Sequence, residues 1–159
     1  GHFVNTASMA GILGFANAEP YCATKFAVVA MSEGWTGQFA PKNIGVSVLC
    51  PGFVQTRIHE SYRNKPTRYG SGDTVQVGIG ETRAETAALV MAGIPTEPVG
   101  NRVVEAIKDN DLYVFTHTEF RPAVEARFAN ILAAFDKSEK SAALSMLPKR
   151  ELMSLAQQK

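Results

Sequence analysis

Short apolar segments alternate with longer helical segments along this chain. Residues 2–8, 45–50 and 112–116 are short and rich in β-branched or aromatic side chains, which predicts three strands. The spacing of apolar positions and the proline positions predict four helices, over residues 21–39, 81–92, 97–108 and 120–135. Thr96 is expected to cap the third helix. Strands that alternate with helices predict an α/β fold with a parallel sheet.

The remaining segments are polar and lack a clear period. Residues 57–80 are rich in glycine and charged side chains, and a loop of this length in a compact domain is usually either a functional lid or a disordered segment. We therefore predict one domain over residues 1–135, with 57–98 as its substrate-loop region. Residues 136–159 are expected to form a polar carboxy-terminal tail.

Composition and charge exclude several classes of protein. Apolar residues make up 45% of the chain and charged residues 19%, and the formal net charge is +1. These values are typical of a globular protein, and no basic patch indicates a nucleic-acid partner. No apolar run is long enough to span a membrane, so no membrane partner is predicted.

Cysteine and histidine positions give no sign of a metal site. Cys22 and Cys50 lie in apolar surroundings, which favours buried thiols in a reducing compartment, here expected to be the cytoplasm. His2, His59 and His117 are scattered and have no ligand spacing to carboxylates or cysteines. The sequence therefore predicts no bound metal.

Three polar residues form a candidate catalytic group. Tyr21 and Lys25 stand four positions apart on one predicted helix, so their side chains lie on the same face. Ser8 precedes Tyr21 by thirteen residues, at the end of the preceding strand. A Tyr–Lys pair alone could be a core tyrosine beside a surface lysine. The serine at a strand end and the tyrosine at a helix start favour a catalytic role.

These residues lie in segments that resemble the short-chain dehydrogenase/reductase family of the classical type. The segments are VNTASMAG at 4–11, PYCATKFAV at 20–28 and GVSVLCPGFVQT at 45–56. In that family, the corresponding serine, YxxxK helix and PGxxxT loop surround a nicotinamide. The resemblance implies the catalytic residues Ser8, Tyr21 and Lys25. It also implies the cofactor-binding residues Tyr21, Lys25, Pro51, Gly52, Val54 and Thr56.

The chemistry that the resemblance implies is consistent with these residue types. Oxidation of an alcohol requires removal of the hydroxyl proton as hydride leaves the carbon, and ketone reduction is the reverse. A phenol, with a pKa near 10, is a poor base at neutral pH unless a cation stabilises its anion. Lys25 would supply that cation one helical turn from Tyr21, and Ser8 would hold the substrate oxygen. Lys25 would also bind the hydroxyls of the nicotinamide ribose.

The resemblance further implies a fold and the partners of the complete protein. The three strands resemble the last three strands of the family fold, so the chain is expected to be the carboxy-terminal half of a Rossmann-like doubly wound parallel sheet. The glycine-rich pyrophosphate loop and the residue that selects the cofactor would lie in a missing amino-terminal half. The cofactor is expected to be NAD or NADP, and the substrate a small alcohol or ketone. The full-length protein is expected to form a homodimer or homotetramer, and this piece to be inactive alone.

Two other functions remain open at this point. A truncated, non-catalytic paralogue would act as a binding or assembly partner through its helices. An epimerase or dehydratase would use the same Tyr21–Lys25 pair for different chemistry. A TGxxxGxG motif upstream in the gene would favour the dehydrogenase, and a start codon immediately before Gly1 would favour the paralogue.

Overall fold

The computed structural model describes residues 1–66, 68 and 82–147. The chain divides into two compact units, Gly1–His117 and Thr118–Lys159. The elements of the first unit are β1 (His2–Thr6), α1 (Glu19–Phe39), β2 (Gly45–Cys50), α2 (Arg83–Met91), α3 (Thr96–Asp109) and β3 (Tyr113–Phe115). The second unit contains α4 (Arg121–Glu139). Short 3₁₀ helices cover Met9–Gly11, Ala40–Lys42, Ile58–Asn64 and Thr118–Phe120.

The three strands form one parallel sheet in the order β1-β2-β3. Thr6 is paired with Leu49, and Cys50 with Phe115, so all three strands end at the same edge. Every residue of β2 after Gly45 is buried, as expected for a central parallel strand that is covered on both faces. The predicted α/β fold, with three parallel strands and flanking helices, is confirmed.

Apolar side chains fix the helices on the sheet. Leu49 and Val114 pack against Val99 and Ala106 of α3 in one buried cluster. A second cluster joins Ala10, Ala18 and Cys22, and so links the segment after β1 to the start of α1. The two clusters hold the helices against the strands whose ends carry the candidate site.

The helix boundaries follow from local sequence, with one correction. Pro20 lies in the first turn of α1, as predicted, and Thr82 and Glu85 form a reciprocal capping box at α2. The prediction that Thr96 caps α3 is wrong, because the helix already includes Thr96 and its cap residue is Pro95. Pro95 has φ −60° and ψ 156°, so the proline supplies the extended residue before the helix.

Several boundaries differ from the predicted ones by a few residues. The first and third strands are shorter than predicted, since the chain turns into a 3₁₀ helix after Ser8 and β3 pairs with β2 over only three residues. The helix predicted over 120–135 continues to Glu139. The start of the predicted helix 81–92, most of the predicted loop 57–80, and residues 148–159 of the predicted tail lie outside the described residues. Among the described residues, no helix is both long and apolar enough to cross a membrane.

Cys50 is fully buried at the end of β2, and we expect its thiol to be unreactive in the folded protein. Burial raises the pKa of this thiol to about 11; a backbone hydrogen bond from Ser8 lowers it by less. An alkylating reagent at pH 8 should therefore modify Cys50 only after denaturation, as mass spectrometry of the peptides would show.

The same shift predicts how stability depends on pH. The folded-state pKa of Cys50 lies above the unfolded value of 9.0, so its contribution is full below pH 9 and is lost as the pH rises towards 11. Urea unfolding from pH 8 to 11 should show a steeper loss of stability in the wild type than in Cys50→Ala. Equal slopes in the two proteins would contradict this assignment.

Candidate active site

Ser8 lies where β1 turns away from the sheet. Its backbone is extended, and its side-chain oxygen accepts a hydrogen bond of 3.1 Å from the amide of Ala10, so it caps the 3₁₀ helix Met9–Gly11. Its hydroxyl is also 3.5 Å from the carbonyl of Pro51, a long contact to the segment after β2. The cap fixes the Ser8 side chain at the carboxyl edge of the sheet.

Tyr21 and Lys25 lie on the first two turns of α1. The Lys25 ammonium is 5.6 Å from the centre of the Tyr21 ring, within the range of a cation–π interaction. The same ammonium donates a 3.1 Å hydrogen bond to the carbonyl of Thr6 at the end of β1. Lys25 therefore connects the Tyr21 ring with the strand that leads to Ser8, while Tyr21 remains 39% exposed.

Gly11 allows α1 to approach the 3₁₀ helix Met9–Gly11 closely. A β-carbon at Gly11 would lie 2.6 Å from the carbonyl oxygen of Lys25 and 2.9 Å from Cγ2 of Val29. Only a residue without a side chain fits this space without movement of α1. The backbone at Lys25 is thus packed directly against the segment that carries Ser8.

The segment after β2 joins the same edge of the sheet. The Pro51 carbonyl accepts a 2.9 Å hydrogen bond from the amide of Met9, next to Ser8. Val54 forms a parallel bridge with Ile94, in the connection between α2 and α3. Thr56 lies in an exposed turn, where its hydroxyl oxygen accepts a 3.4 Å hydrogen bond from the amide of Ile58. Of the predicted cofactor residues, Pro51 therefore lies beside Ser8. Val54 and Thr56 lie further along the segment, where they contact Ile94 and Ile58.

His117 is a site residue that the sequence analysis did not identify. It follows β3 and is only 9% exposed. The Gly52 amide donates a 3.0 Å hydrogen bond to its Nδ1, and its Nε2 is 3.1 Å from the carbonyl of Phe53. A β-carbon at Gly52 would lie 2.8 Å from the imidazole ring, so the glycine makes room for His117. The sequence did offer one signal for this residue. His117 directly follows the third predicted strand, and the second strand ends in the Pro51-Gly52 turn.

Two further polar contacts connect α1 with the sheet. The Asn5 amide donates a 3.0 Å hydrogen bond to the Ser32 hydroxyl, which agrees with a structural role for Asn5. The Tyr113 hydroxyl donates a 2.5 Å hydrogen bond to the Glu33 carboxylate. Burial and this carboxylate both raise the pKa of Tyr113, so the phenol stays protonated. These contacts fix the later turns of α1 on β1 and β3.

The described residues offer groups for binding and proton transfer, and no cluster of three or more His, Cys, Asp or Glu side chains suited to a metal. The ammonium of Lys25 has three N–H donors, and Thr6 takes one of them. Tyr21 is partly exposed, and the turn at Pro51 contacts Ser8, which follows the end of β1. This arrangement is suited to hold a polar ligand beside a phenol.

Comparison with known proteins identifies the family. Residues 1–67, which include every predicted site residue, match the family described as short chain dehydrogenase. The C alpha-dehydrogenase of Sphingobium sp. (strain NBRC 103272 / SYK-6) is 31% identical over 132 residues, covering 83% of this chain and 43% of the relative. The CLA biosynthesis dehydrogenase/reductase of Lactiplantibacillus plantarum is 31% identical over 134 residues, covering 81% and 47%.

A solved structure gives the same result. The short chain dehydrogenase/reductase from Burkholderia phymatum in complex with NAD superposes with a TM-score of 0.75 at 29% identity, over 84% of this chain and 48% of that one. The chain thus spans about half the length of the relatives that it matches. The fold, the three motifs in register and these similarities agree, and the chain belongs to the short-chain dehydrogenase/reductase family.

Proposed function

We propose that the protein is an NAD(P)-dependent oxidoreductase that transfers hydride between a nicotinamide and an alcohol or carbonyl substrate, with Tyr21 as general acid and base. The observation that carries this proposal is the position of the Lys25 ammonium, 5.6 Å from the Tyr21 ring and 3.1 Å from the carbonyl of Thr6. The ammonium is thus held at the strand end that leads to Ser8, beside the ring whose hydroxyl would exchange the proton.

Each residue of the group has a defined part in the proposed reaction. In the oxidation direction the Tyr21 phenolate accepts the hydroxyl proton of the substrate, and in the reduction direction the phenol returns it. The Ser8 hydroxyl donates a hydrogen bond to the substrate oxygen and keeps it near Tyr21. The bound nicotinamide would supply the hydride acceptor or donor.

The residues present fit such a cofactor. Lys25 retains two N–H donors beyond the one that Thr6 accepts, enough for the two hydroxyls of a ribose. Pro51, Gly52, Val54 and Thr56 follow β2 at the carboxyl edge of the sheet, where nucleotides bind in open parallel sheets. We propose that this segment contacts the nicotinamide side of the cofactor. That the similar Burkholderia phymatum protein forms a complex with NAD supports a nicotinamide cofactor for this protein.

A substrate panel tests the activity. The polypeptide encoded by the complete natural gene would be mixed with NAD and small or medium alcohols, and with NADPH or NADH and the matching ketones. We expect a change in nicotinamide absorbance with at least one pair. No turnover with any pair, in a protein that binds the cofactor, would contradict the proposed redox function and favour an epimerase, a dehydratase or an assembly role.

We expect the 159-residue chain alone to bind dinucleotide only weakly. Its sequence has no glycine-rich turn after a strand to hold a pyrophosphate, so most of the cofactor would lack partners. Isothermal titration of this chain with NAD and NADP should give dissociation constants no tighter than about 1 mM, where binding free energy is about 4 kcal/mol. Micromolar binding would contradict the expectation that most of the cofactor lacks partners in this chain.

The same proposal includes a homo-oligomeric complete protein. Phe3 of β1 is 46% exposed and forms an aromatic cluster with Trp35 and Phe39 of α1. Met31, on the same helix, is 40% exposed. Exposed apolar groups of this kind support burial against further polypeptide, either the rest of the same protein or a second copy.

A further inference from the structure

We propose that His117 is a positioning residue that holds the cofactor-facing turn after β2 in its binding conformation. This inference rests on the proposed function, because it assigns a role to the turn that would contact the nicotinamide. It concerns a residue that is outside the Ser8–Tyr21–Lys25 group and that follows β3. The argument depends on hydrogen bonds, burial and packing at His117.

The hydrogen bonds define one form of the imidazole. A backbone amide can only donate, so the bond from the Gly52 amide requires an unprotonated Nδ1. A carbonyl can only accept, so the contact with Phe53 requires a proton on Nε2. The Thr116 hydroxyl oxygen is also 2.8 Å from Nδ1. In this arrangement the ring accepts from Gly52 and donates to Phe53, which are successive residues of the turn.

The turn is held from three sides. His117 contacts Gly52 and Phe53 from the end of β3. The carbonyl of Phe53 also accepts a 3.0 Å hydrogen bond from the amide of Ile94, before α3. The carbonyl of Pro51 accepts from the amide of Met9. The contacts from Ile94 and Met9 are between backbone atoms, whereas a substitution can remove the short side-chain contacts of His117.

Packing shows that the ring and the turn fit each other. His117 is 9% exposed, and a β-carbon on Gly52 would lie within 2.8 to 3.1 Å of three ring atoms. The imidazole thus lies directly against the Gly52 backbone. Because Pro51 is bonded to Met9 and touches Ser8, a shift of the turn would also reach the segment that carries the catalytic serine.

Three variants of the complete gene product test the role. His117→Phe keeps a ring of similar size but removes both polar atoms. His117→Asn keeps an acceptor at the position of Nδ1 and should restore much of the function. His2→Phe is the matched control, since His2 donates a 2.8 Å hydrogen bond to Ser47 and packs against Gly45 at the opposite edge of the sheet.

We expect His117→Phe to raise the dissociation constant and the KM for the nicotinamide cofactor about tenfold, which corresponds to about 1.4 kcal/mol. The KM for substrate should change less than about threefold. His117→Asn should recover at least half of the lost cofactor affinity, compared as the logarithm of the dissociation constant. His2→Phe should lower thermal stability and leave the cofactor KM unchanged. Cofactor affinity within twofold of wild type in His117→Phe, or an equal loss in His2→Phe, would overturn the proposal.

Amide hydrogen exchange gives a second measurement that needs no variant and no cofactor. The Gly52 amide should be strongly protected in the wild-type protein without ligand, because His117 already accepts its hydrogen bond. Rapid exchange at Gly52 would overturn the proposal even if His117→Phe fails to fold. A protected Gly52 amide in a wild-type protein that binds neither NAD nor NADP would instead refute the proposed function and leave His117 as the residue that holds the turn.

Discussion

Replacing Tyr21 with phenylalanine is expected to lower kcat by about a thousandfold, within the range that general acid–base catalysis contributes. The substitution removes only the hydroxyl that would exchange a proton with the substrate. The ring stays in place, so the contact 5.6 Å from the Lys25 ammonium is retained. Because Tyr21 is 39% exposed, the folded structure should be unaffected and cofactor affinity should stay within about twofold.

Tyr113→Phe is the matched control for this experiment. It deletes a phenolic hydroxyl that donates to Glu33 and belongs to β3, outside the Ser8–Tyr21–Lys25 group. We expect a loss of roughly 1 kcal/mol in the free energy of unfolding, reduced by the partial exposure of the pair, with kcat unchanged. Steady-state kinetics and urea unfolding on both variants of the complete gene product separate the two effects. Wild-type turnover in Tyr21→Phe would eliminate the proposed mechanism.

Gly11→Ala is expected to lower both stability and activity. The new β-carbon would lie 2.6 Å from the Lys25 carbonyl oxygen, and backbone at the centre of a helix cannot move aside as a flexible side chain would. Overpacking of this kind costs about 1–3 kcal/mol in the free energy of unfolding. Since relief requires α1 to move at Lys25, kcat should fall by at least about tenfold even in the folded fraction.

Gly34→Ala, in α1 itself, supplies the comparison. Nothing lies within 4 Å of a β-carbon at Gly34, so the alanine meets open space. We expect it to increase the free energy of unfolding by about 0.5–1 kcal/mol through helix propensity, with no change in kcat. Urea denaturation midpoints for the two variants should shift in opposite directions. A Gly11→Ala protein as stable and active as Gly34→Ala would show that α1 is not packed as described.

The fold was predictable where the controlling signals are local in sequence. The strand over 45–50 was predicted with its observed bounds because Pro51-Gly52 ends it, and Pro20 marks the start of α1. The cap of α3 was predicted wrongly because Thr96 matches the usual cap type, whereas Pro95 already supplies the extended residue. Propensity identifies the residue types suited to a boundary, but the backbone conformation decides which residue occupies it.

The candidate site was likewise predictable only where its signals are local in sequence. Tyr21 and Lys25 share one helix face by their spacing, and Ser8 follows from the order of strand and helix. The role of His117 depends on the pairing of β2 with β3, which brings residues 52 and 117 together across 65 positions. A β-carbon at Gly52 would meet the His117 ring, which is a close approach between residues far apart in sequence. Contacts between residues this far apart in sequence are not indicated by any local pattern.

The carbonyl that accepts the Lys25 hydrogen bond belongs to the main chain of Thr6, and the Pro51 carbonyl beside Ser8 is likewise a main-chain group. Every amino acid carries such an oxygen, so the side chains at these two positions are not what holds the ammonium and the hydroxyl. The side chain of Thr6 can therefore change for packing or solubility without removing the oxygen that accepts the Lys25 hydrogen bond, provided that β1 keeps its course.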